Sequence, residues 1–367
     1  MKAVKRNGKI ELMRFVMCIF VIIYHAEDSI NFNHLPRFFD LITLSKHGCI
    51  GVEFFFVLSG FFMAKAAEKD YLSKLRRGVN DTVNFFFKRF AGVIPFQIIS
   101  FFIIYIIYNI LHKPAFTEAM MDLFESIPDL LLFSMIGVPY EAYNGVAWYL
   151  SAMLIGFIVI YPWLRCYYYK FSRFFAPIIS FLLLLFLFFS SDPIRLSGVY
   201  KMYGFIRVAN IRACAELLLG VVSFELSKKL GKLRLSESMR KVLFAVEIIL
   251  ILSLIIYVFS PLSEAWQFLF LFVCAAFITL ALSGASYGNE KFDKRWIYYL
   301  GKLSLPVYLI QYAFMNIAKF YLKSLPFGLY NALIVAAAVI FGMILMPLGN
   351  KLVEKTTNLF RKIHLVY

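Results

Sequence analysis

ELMRFVMCIFVIIYHAEDS, residues 11–29, decides the fold. The apolar run that it carries, read over 10–26, is long enough to cross a hydrocarbon core of ~30 Å. Lys2, Lys5, Arg6 and Lys9 lead straight into it, and no small-residue cleavage site follows. The run is therefore expected to insert and to stay as the first span of the protein. Two ionisable residues lie inside it, Arg14 and His25, where each costs free energy and is a functional candidate by default. They are eleven residues apart, about 20° from three whole helical turns, so they share one face roughly 16 Å apart along the axis.

Working outward, windows of similar length fall near 48–64, 91–111, 146–164, 175–190, 206–227, 242–260, 264–283, 296–318 and 328–350. The expectation is an all-α, polytopic membrane bundle of about ten transmembrane helices over residues 1–350, followed by a basic tail at 351–367. Composition agrees: 61% of the chain is hydrophobic, 19% is aromatic and 42 residues are Phe, which a water-soluble core could not absorb. The stretch 128–138 is apolar but too short to span, and reads as a re-entrant or interfacial segment. Five cysteines are scattered without a pairable spacing and are expected to be small buried hydrophobes.

The net charge of +16 is explained by where the cations lie. Of 38 Lys and Arg, 27 fall at the N-terminus, in alternate connections and in the tail, against 8 on the opposite side. Arg14, Arg212 and Lys302 lie within spans. By the positive-inside rule both termini are expected in the cytoplasm, and the excess charge faces anionic lipid or an anionic cytosolic ligand. Nucleic acid need not be invoked.

That orientation places Arg14 near the inside and His25 near the outside. Arg14 alone also reads as a snorkelling residue, and His25 as a boundary histidine bonded to Glu27 or Asp28. In the second span, GCIGVEFFFVLSGFFMA (48–64), Glu53 lies at the depth of His25. A carboxylate there would fix the tautomer of His25 and raise its basicity, as a general base requires. Ser59 and Gly60 lie lower and serve close helix packing or ligand contact. Arg212 and Glu216 are four apart on one face and form either a structural ion pair or, with Arg207, an anchor for an anionic or polyhydroxyl acceptor. Trp148 reads as an aromatic-belt anchor or as a sugar-stacking ring. The five histidines show no metal-binding spacing, and no phosphate-binding loop, dinucleotide motif or nucleophile elbow is present. No internal repeat supports the transporter reading, a flippase of a lipid-linked sugar in which the polar face would line a path.

These residues resemble the acyltransferase-3 family of bacterial membrane acyltransferases over nearly the whole chain. The resemblance rests on Arg14 and His25 with ten residues between them, on VEFFFVLSGFFMA (52–64), FFFKRFAGVIPF (85–96), WYLSAMLIGFIVIYPWL (148–164) and LGKLSLPVYLIQYAF (300–314). Relatives often carry two arginines before the proline, where this chain has Arg89 and Gly92, with Lys88 as a possible substitute. Many end the late motif on histidine, where this chain has Gln311. The resemblance implies transfer of an acyl group, acetyl above all, from cytoplasmic acyl-CoA to a hydroxyl of an envelope polysaccharide or lipid-linked sugar at the bacterial cytoplasmic membrane. Acyl-CoA would be a co-substrate, with no resident cofactor. His25 would be the base, oriented by Glu53 or Asp28. The donor would meet Arg14, Lys88, Arg89 and Ser59, and the acceptor Trp148, Arg212 and Glu216.

Overall fold

The computed structural model describes residues 6–28, 46–73, 79–137, 142–190, 196 and 198–366. Its helices are α1 (Gly8–Asp28), α2 (Ile50–Leu72), α3 (Val79–His112), α4 (Phe116–Glu125), α5 (Ile127–Leu130), α6 (Trp148–Lys170), α7 (Ala176–Ser190), α8 (Val208–Gly231), α9 (Glu237–Val258), α10 (Gln267–Ser283), α11 (Arg295–Tyr321) and α12 (Phe327–Lys362). Met202–Tyr203 and Ile206–Arg207 pair antiparallel in a small hairpin around Gly204. Each of the ten expected spans falls on its own helix of at least fifteen residues. By length and apolarity, six stretches can cross a membrane: Ile50–Leu72, Val79–His112, Gly145–Ser190, Glu237–Val258, Glu264–Ser283 and Phe327–Lys362.

The stretch Gly145–Ser190 shows how two expected spans become one helical run. At ~1.5 Å per residue its 46 residues would exceed a bilayer twofold if straight. Tyr167 instead leaves helical geometry at φ −130°, ψ 41°, and Phe171–Phe175 form a π turn. The chain reverses there. Ser180 on α7 donates to Ala215 O at 2.7 Å, and a Cβ at Gly156 on α6 would run into Leu217, so both arms meet α8 at one height. The expected loop at 165–173 is thus a helical reversal.

Close packing of α2 on α8 forms the centre of the bundle. A Cβ at Gly60 would lie 2.0 Å from Leu217 O, and one at Gly220 would lie 2.1 Å from Val57 O, so the two backbones touch through paired glycines. Of the two readings for Gly60, helix packing is the one realised. α1 lies against α2, α11 and α12. Its start is anchored by buried Lys9, whose ammonium donates to Glu247 Oε2 (2.6 Å), Ser286 Oγ (2.8 Å) and Tyr287 O (2.9 Å).

The short apolar segment at 128–138, expected to be re-entrant or interfacial, is hydrogen-bonded into the bundle, unlike α4, which precedes it. α4 has no buried residue and exposes Phe116, Met121 and Phe124. From α5 onward the chain docks into the bundle: Gln97 Nε2 donates to Asp129 O (3.0 Å), Asn144 N to Asp129 Oδ2 (2.8 Å) and Asn210 Nδ2 to Met135 O (2.8 Å). The tail is also partly ordered, because α12 continues through 350 to Lys362 and sets Phe360 against Phe87 and Phe90. Cysteines Cys18 and Cys274 are buried as expected, whereas Cys166 is exposed.

Candidate active site

A cavity of about 600 Å³ opens between α1, α2, α3, α6 and α11. That size suits a small-molecule site. Arg14, Ser59, Lys88 and Arg89, the four residues expected to meet an acyl donor, all line it. Arg6 and Lys65 add to the cationic end, and Phe55, Tyr149 and Tyr308 continue the wall inward. Gly92 also lines it, and a Cβ there would meet nothing within 4 Å, so the place where relatives carry a second arginine is open space.

The cationic end is held by the helices themselves. Arg14 Nη1 donates to Glu11 Oε2 at 3.2 Å, one turn away on α1, and Arg6 approaches the same oxygen at 3.6 Å. Glu11 is buried in a notch on α11: a Cβ at Gly301 would lie 1.9 Å from its Oε2. Gly301 therefore makes room for the carboxylate that orients two of the arginines. The Arg89 guanidinium lies over the Phe85 ring at 5.3 Å. Ser59 Oγ sits 3.4 Å from the Tyr149 hydroxyl.

His25 stands beyond the inner end. Its Nδ1 is 3.3 Å from Gln311 Oε1, and Gln311 Nε2 donates to Tyr308 O at 2.6 Å, which ties the histidine to the cavity wall within one turn of α11. The rings of Tyr24 and Tyr312 flank the imidazole with centroids at 5.3 and 5.9 Å. Tyr308 in turn donates to Val146 O at 3.0 Å and fixes the segment before α6.

Glu53, expected to orient His25, serves elsewhere. Its Oε1 accepts hydrogen bonds from Arg212 Nη2 and Gln267 Nε2, while Arg212 Nε donates to Glu216 Oε1 at 2.9 Å and Arg212 Nη1 to Leu196 O at 3.2 Å. The cause is azimuth: depth matched Glu53 to His25, but the carboxylate points to α8, where a buried guanidinium compensates it. Asp28 closes α1, and its side chain lies outside the described residues, as do Ser29 to Ser45 with His34.

The residues expected to meet the acceptor are brought together, but not at the cavity. Trp148 lies over the Arg212 guanidinium at 5.4 Å and is only 8% exposed, which removes the aromatic-belt reading. With Arg212 and Glu216 it completes a closed cluster that joins α2, α6, α8 and α10. Both Arg212 and Glu216 are buried and bonded to each other, so the structural reading of the pair accounts for their contacts. Arg207, at the start of α8, donates to Tyr200 O at 3.3 Å. Among the described residues no group of three His, Cys, Asp or Glu stands where it could hold a metal ion.

Sequence reasoning missed two partners. Glu11 could have been found from its i,i+3 spacing to Arg14. Gln311 carried no such signal, since its meeting with His25 crosses 286 residues.

Neither a curated protein nor a solved structure matches the chain. The model of the acyltransferase-3 family, described as an acyltransferase domain, matches residues 7–348. That span takes in α1 to α11 and most of α12, with the cavity, His25 and the buried cluster; the chain belongs to this family and is a multi-pass membrane acyltransferase.

Proposed function

We propose that the protein transfers an acyl group, acetyl above all, from cytoplasmic acyl-CoA to a hydroxyl of an envelope polysaccharide or lipid-linked sugar at the bacterial cytoplasmic membrane. The bundle crosses the membrane ten times with both termini inside. The observation that carries this reading is the cavity, which has cations at one end and His25 one helical turn beyond the other. Arg6, Arg14, Lys65, Lys88 and Arg89 suit the phosphates of a CoA ester, and the aromatic wall suits its thin arm.

His25 acts as the general base. The acceptor hydroxyl gives its proton to the imidazole as its oxygen bonds to the acyl carbon. The carbon–sulfur bond of the thioester then breaks, and the departing CoA sulfur takes the proton back from the imidazolium. The donor enters from inside and the acceptor meets His25 from outside, so the acyl group crosses while CoA stays in the cytosol.

Mass analysis of envelope polysaccharide from cells with and without the protein tests the reading, with loss of acetyl mass expected. His25→Ala should abolish that mass with expression intact. An unchanged polysaccharide in the deletion strain overturns the proposed acceptor, and full acylation by His25→Ala overturns the base.

A further inference from the structure

We infer that the groove between α6 and α7 binds one anionic phospholipid of the cytoplasmic leaflet, with its phosphate at Lys170 and one acyl chain laid along α8. The choice of leaflet rests on the topology proposed above, and the site itself rests on geometry alone.

From the reversal at 167–175, α6 and α7 run as two arms that both pack on α8 and barely touch each other beyond it. The space between them is a groove of about 1090 Å³, separate from the donor cavity and on another face of α6. Every fourth residue of α6 from Ile155 to Tyr167 lines one wall, and every fourth from Phe175 to Leu183 lines the other. Ile211, Cys214 and Leu218 of α8 form the floor. Val159 and Trp163 are exposed, so the groove opens sideways, toward the hydrocarbon of the bilayer. From Ile155 to Lys170 it runs for roughly 22 Å. One leaflet is about 15 Å of hydrocarbon, half of the ~30 Å core, so a single acyl chain fits along it.

The two ends differ, and the difference chooses the occupant. At one end Phe205 and Ile206 of the hairpin meet Ile136. The hairpin is held there, since Asn210 Nδ2 donates to Met135 O and a Cβ at Gly137 would lie 3.5 Å from Phe205 O. At the other end stands Lys170, the one charged lining residue among those described. Its neighbours Arg165 and Arg173 are paired with Asp81 and Glu225 at 2.7 and 3.4 Å, whereas Lys170 enters no ion pair among the described residues. Trp163 and Tyr167 stack at 6.5 Å on the adjoining wall, and such amphipathic rings favour the level of the headgroups. An anion is therefore favoured at Lys170 and a plain chain end at the hairpin. A lipid of the opposite leaflet would bring its phosphate to the hairpin, where no cation lines the groove. The chain alone gains little, because the bilayer around it is equally apolar. The headgroup selects the lipid, one lysine near the surface giving an anionic lipid an advantage of about fivefold. The bound chain fills the space that the two arms leave on α8, about 200° around that helix from Arg212 and Glu216.

Phosphatidylglycerol and phosphatidylcholine, each brominated at mid-chain, test the site. Trp163 lies seven residues from Lys170, roughly 10 Å along α6, at the depth of those bromines. Protein in mixed micelles with either lipid is followed by tryptophan fluorescence, and the contribution of Trp163 is the difference between wild type and Trp163→Phe. Half of that quenching should occur at a mole fraction about fivefold lower for phosphatidylglycerol, and the gap should close in Lys170→Gln and at high salt. Cys214→Phe, which raises the floor, should remove the preference with Lys170 intact. Equal mole fractions in the wild type, or a preference that persists in Lys170→Gln, overturns the inference. Native mass spectrometry of protein extracted with its own lipids identifies the occupant. A retained anionic phospholipid that Lys170→Gln loses is expected, and a polyprenyl phosphate in its place overturns the assignment. No readout here needs turnover, so a failure of the acyl-transfer reading leaves the lipid site standing. If labelling of a cysteine placed in the C-terminal tail shows that tail outside, the leaflet falls and the site at Lys170 stands.

Discussion

Gly60→Ala should destabilise the whole bundle, and the size of the effect can be worked from the contact that it violates. The added Cβ would lie 2.0 Å from Leu217 O and 2.8 Å from Leu217 Cα, against an ordinary contact that begins near 3.4 Å. The obstacle is backbone on a packed helix and cannot swing aside, so α2 and α8 must part locally by about 1.4 Å. Overpacking of this kind costs about 1–3 kcal/mol, and backbone against backbone belongs at the upper end. Separation also strains the Glu53–Arg212 pair, about 10 Å along α2 from Gly60. About 3 kcal/mol at roughly 2–4 °C per kcal/mol lowers the thermal midpoint by roughly 6–12 °C. The four tryptophans make intrinsic fluorescence of detergent-solubilised protein a suitable assay. Gly92→Ala is the control, because its Cβ meets nothing within 4 Å. If Gly60→Ala melts with the wild type, or no lower than Gly92→Ala, the backbone contact of α2 and α8 is not as described.

Gly301→Ala should displace Glu11, since its Cβ would lie 1.9 Å from Oε2, and so release Arg14 and Arg6; with a charged hydrogen bond contributing about 1.5–3 kcal/mol, KM for acetyl-CoA should rise about tenfold or more while kcat changes little. A saturation series in acetyl-CoA checks this, and Arg14→Ala should show the same direction. Burial pushes the Asp129 carboxyl, outside the spans, up to about 7 against the pull of the Asn144 and Tyr143 N–H groups, whereas an unfolded Asp titrates near about 3.9. The folded state thus holds the proton more tightly, and the resulting stability is fully present below about pH 4 and is lost as pH rises through about 7. The thermal midpoint should fall from pH 6 to pH 8 in the wild type and fall less in Asp129→Asn; equal slopes would remove Asp129 from the account.

How far the sequence could be read follows from what lipid demands. A helix in hydrocarbon must satisfy its own backbone, so each span declares itself by length and apolarity, and all ten windows fall on helices. The residues of the cavity were legible by two routes: Arg14 stood out as a cation inside an apolar span, whereas Lys88 and Arg89 were pointed to by the family motif FFFKRFAGVIPF and Ser59 by the Ser-Gly that ends VEFFFVLSG. Azimuth was not legible. α2 is hydrophobic nearly all round, so nothing in VEFFFVLSG states whether Glu53 faces α1 or α8, and depth alone paired it with the wrong helix. Trp148 failed likewise, because a span that begins with tryptophan looks the same whether the ring faces lipid or a buried guanidinium.

The helices that fall short of apolarity sharpen the point. α1, α8 and α11 are absent from the six stretches that qualify by composition. They are also the helices that carry Arg14 and His25, Arg212 and Glu216, and Gln311. Each polar group lowers the hydropathy of its own helix and must be shielded by others, so α1 is packed against α2, α11 and α12, and α8 against α2, α6, α7 and α10. A weak hydropathy signal inside a strongly apolar chain therefore marks three polar inner helices, whereas α2, central as well, qualifies by composition although it carries Glu53. By the same logic Gln311 and Gly92 do not read as losses. One puts an uncharged acceptor where an imidazole would titrate, and the other leaves room at the cationic end of the cavity that a second arginine would fill. A Gly92→Arg variant should accordingly bind acetyl-CoA with a lower KM and show a steeper salt dependence, because its Cβ enters open space on the cavity wall and the new cation would join the end proposed to hold the donor's phosphates. An unchanged KM with unchanged salt response would place the phosphates away from α3 and move the donor's entrance to the side of Arg6 and Lys65.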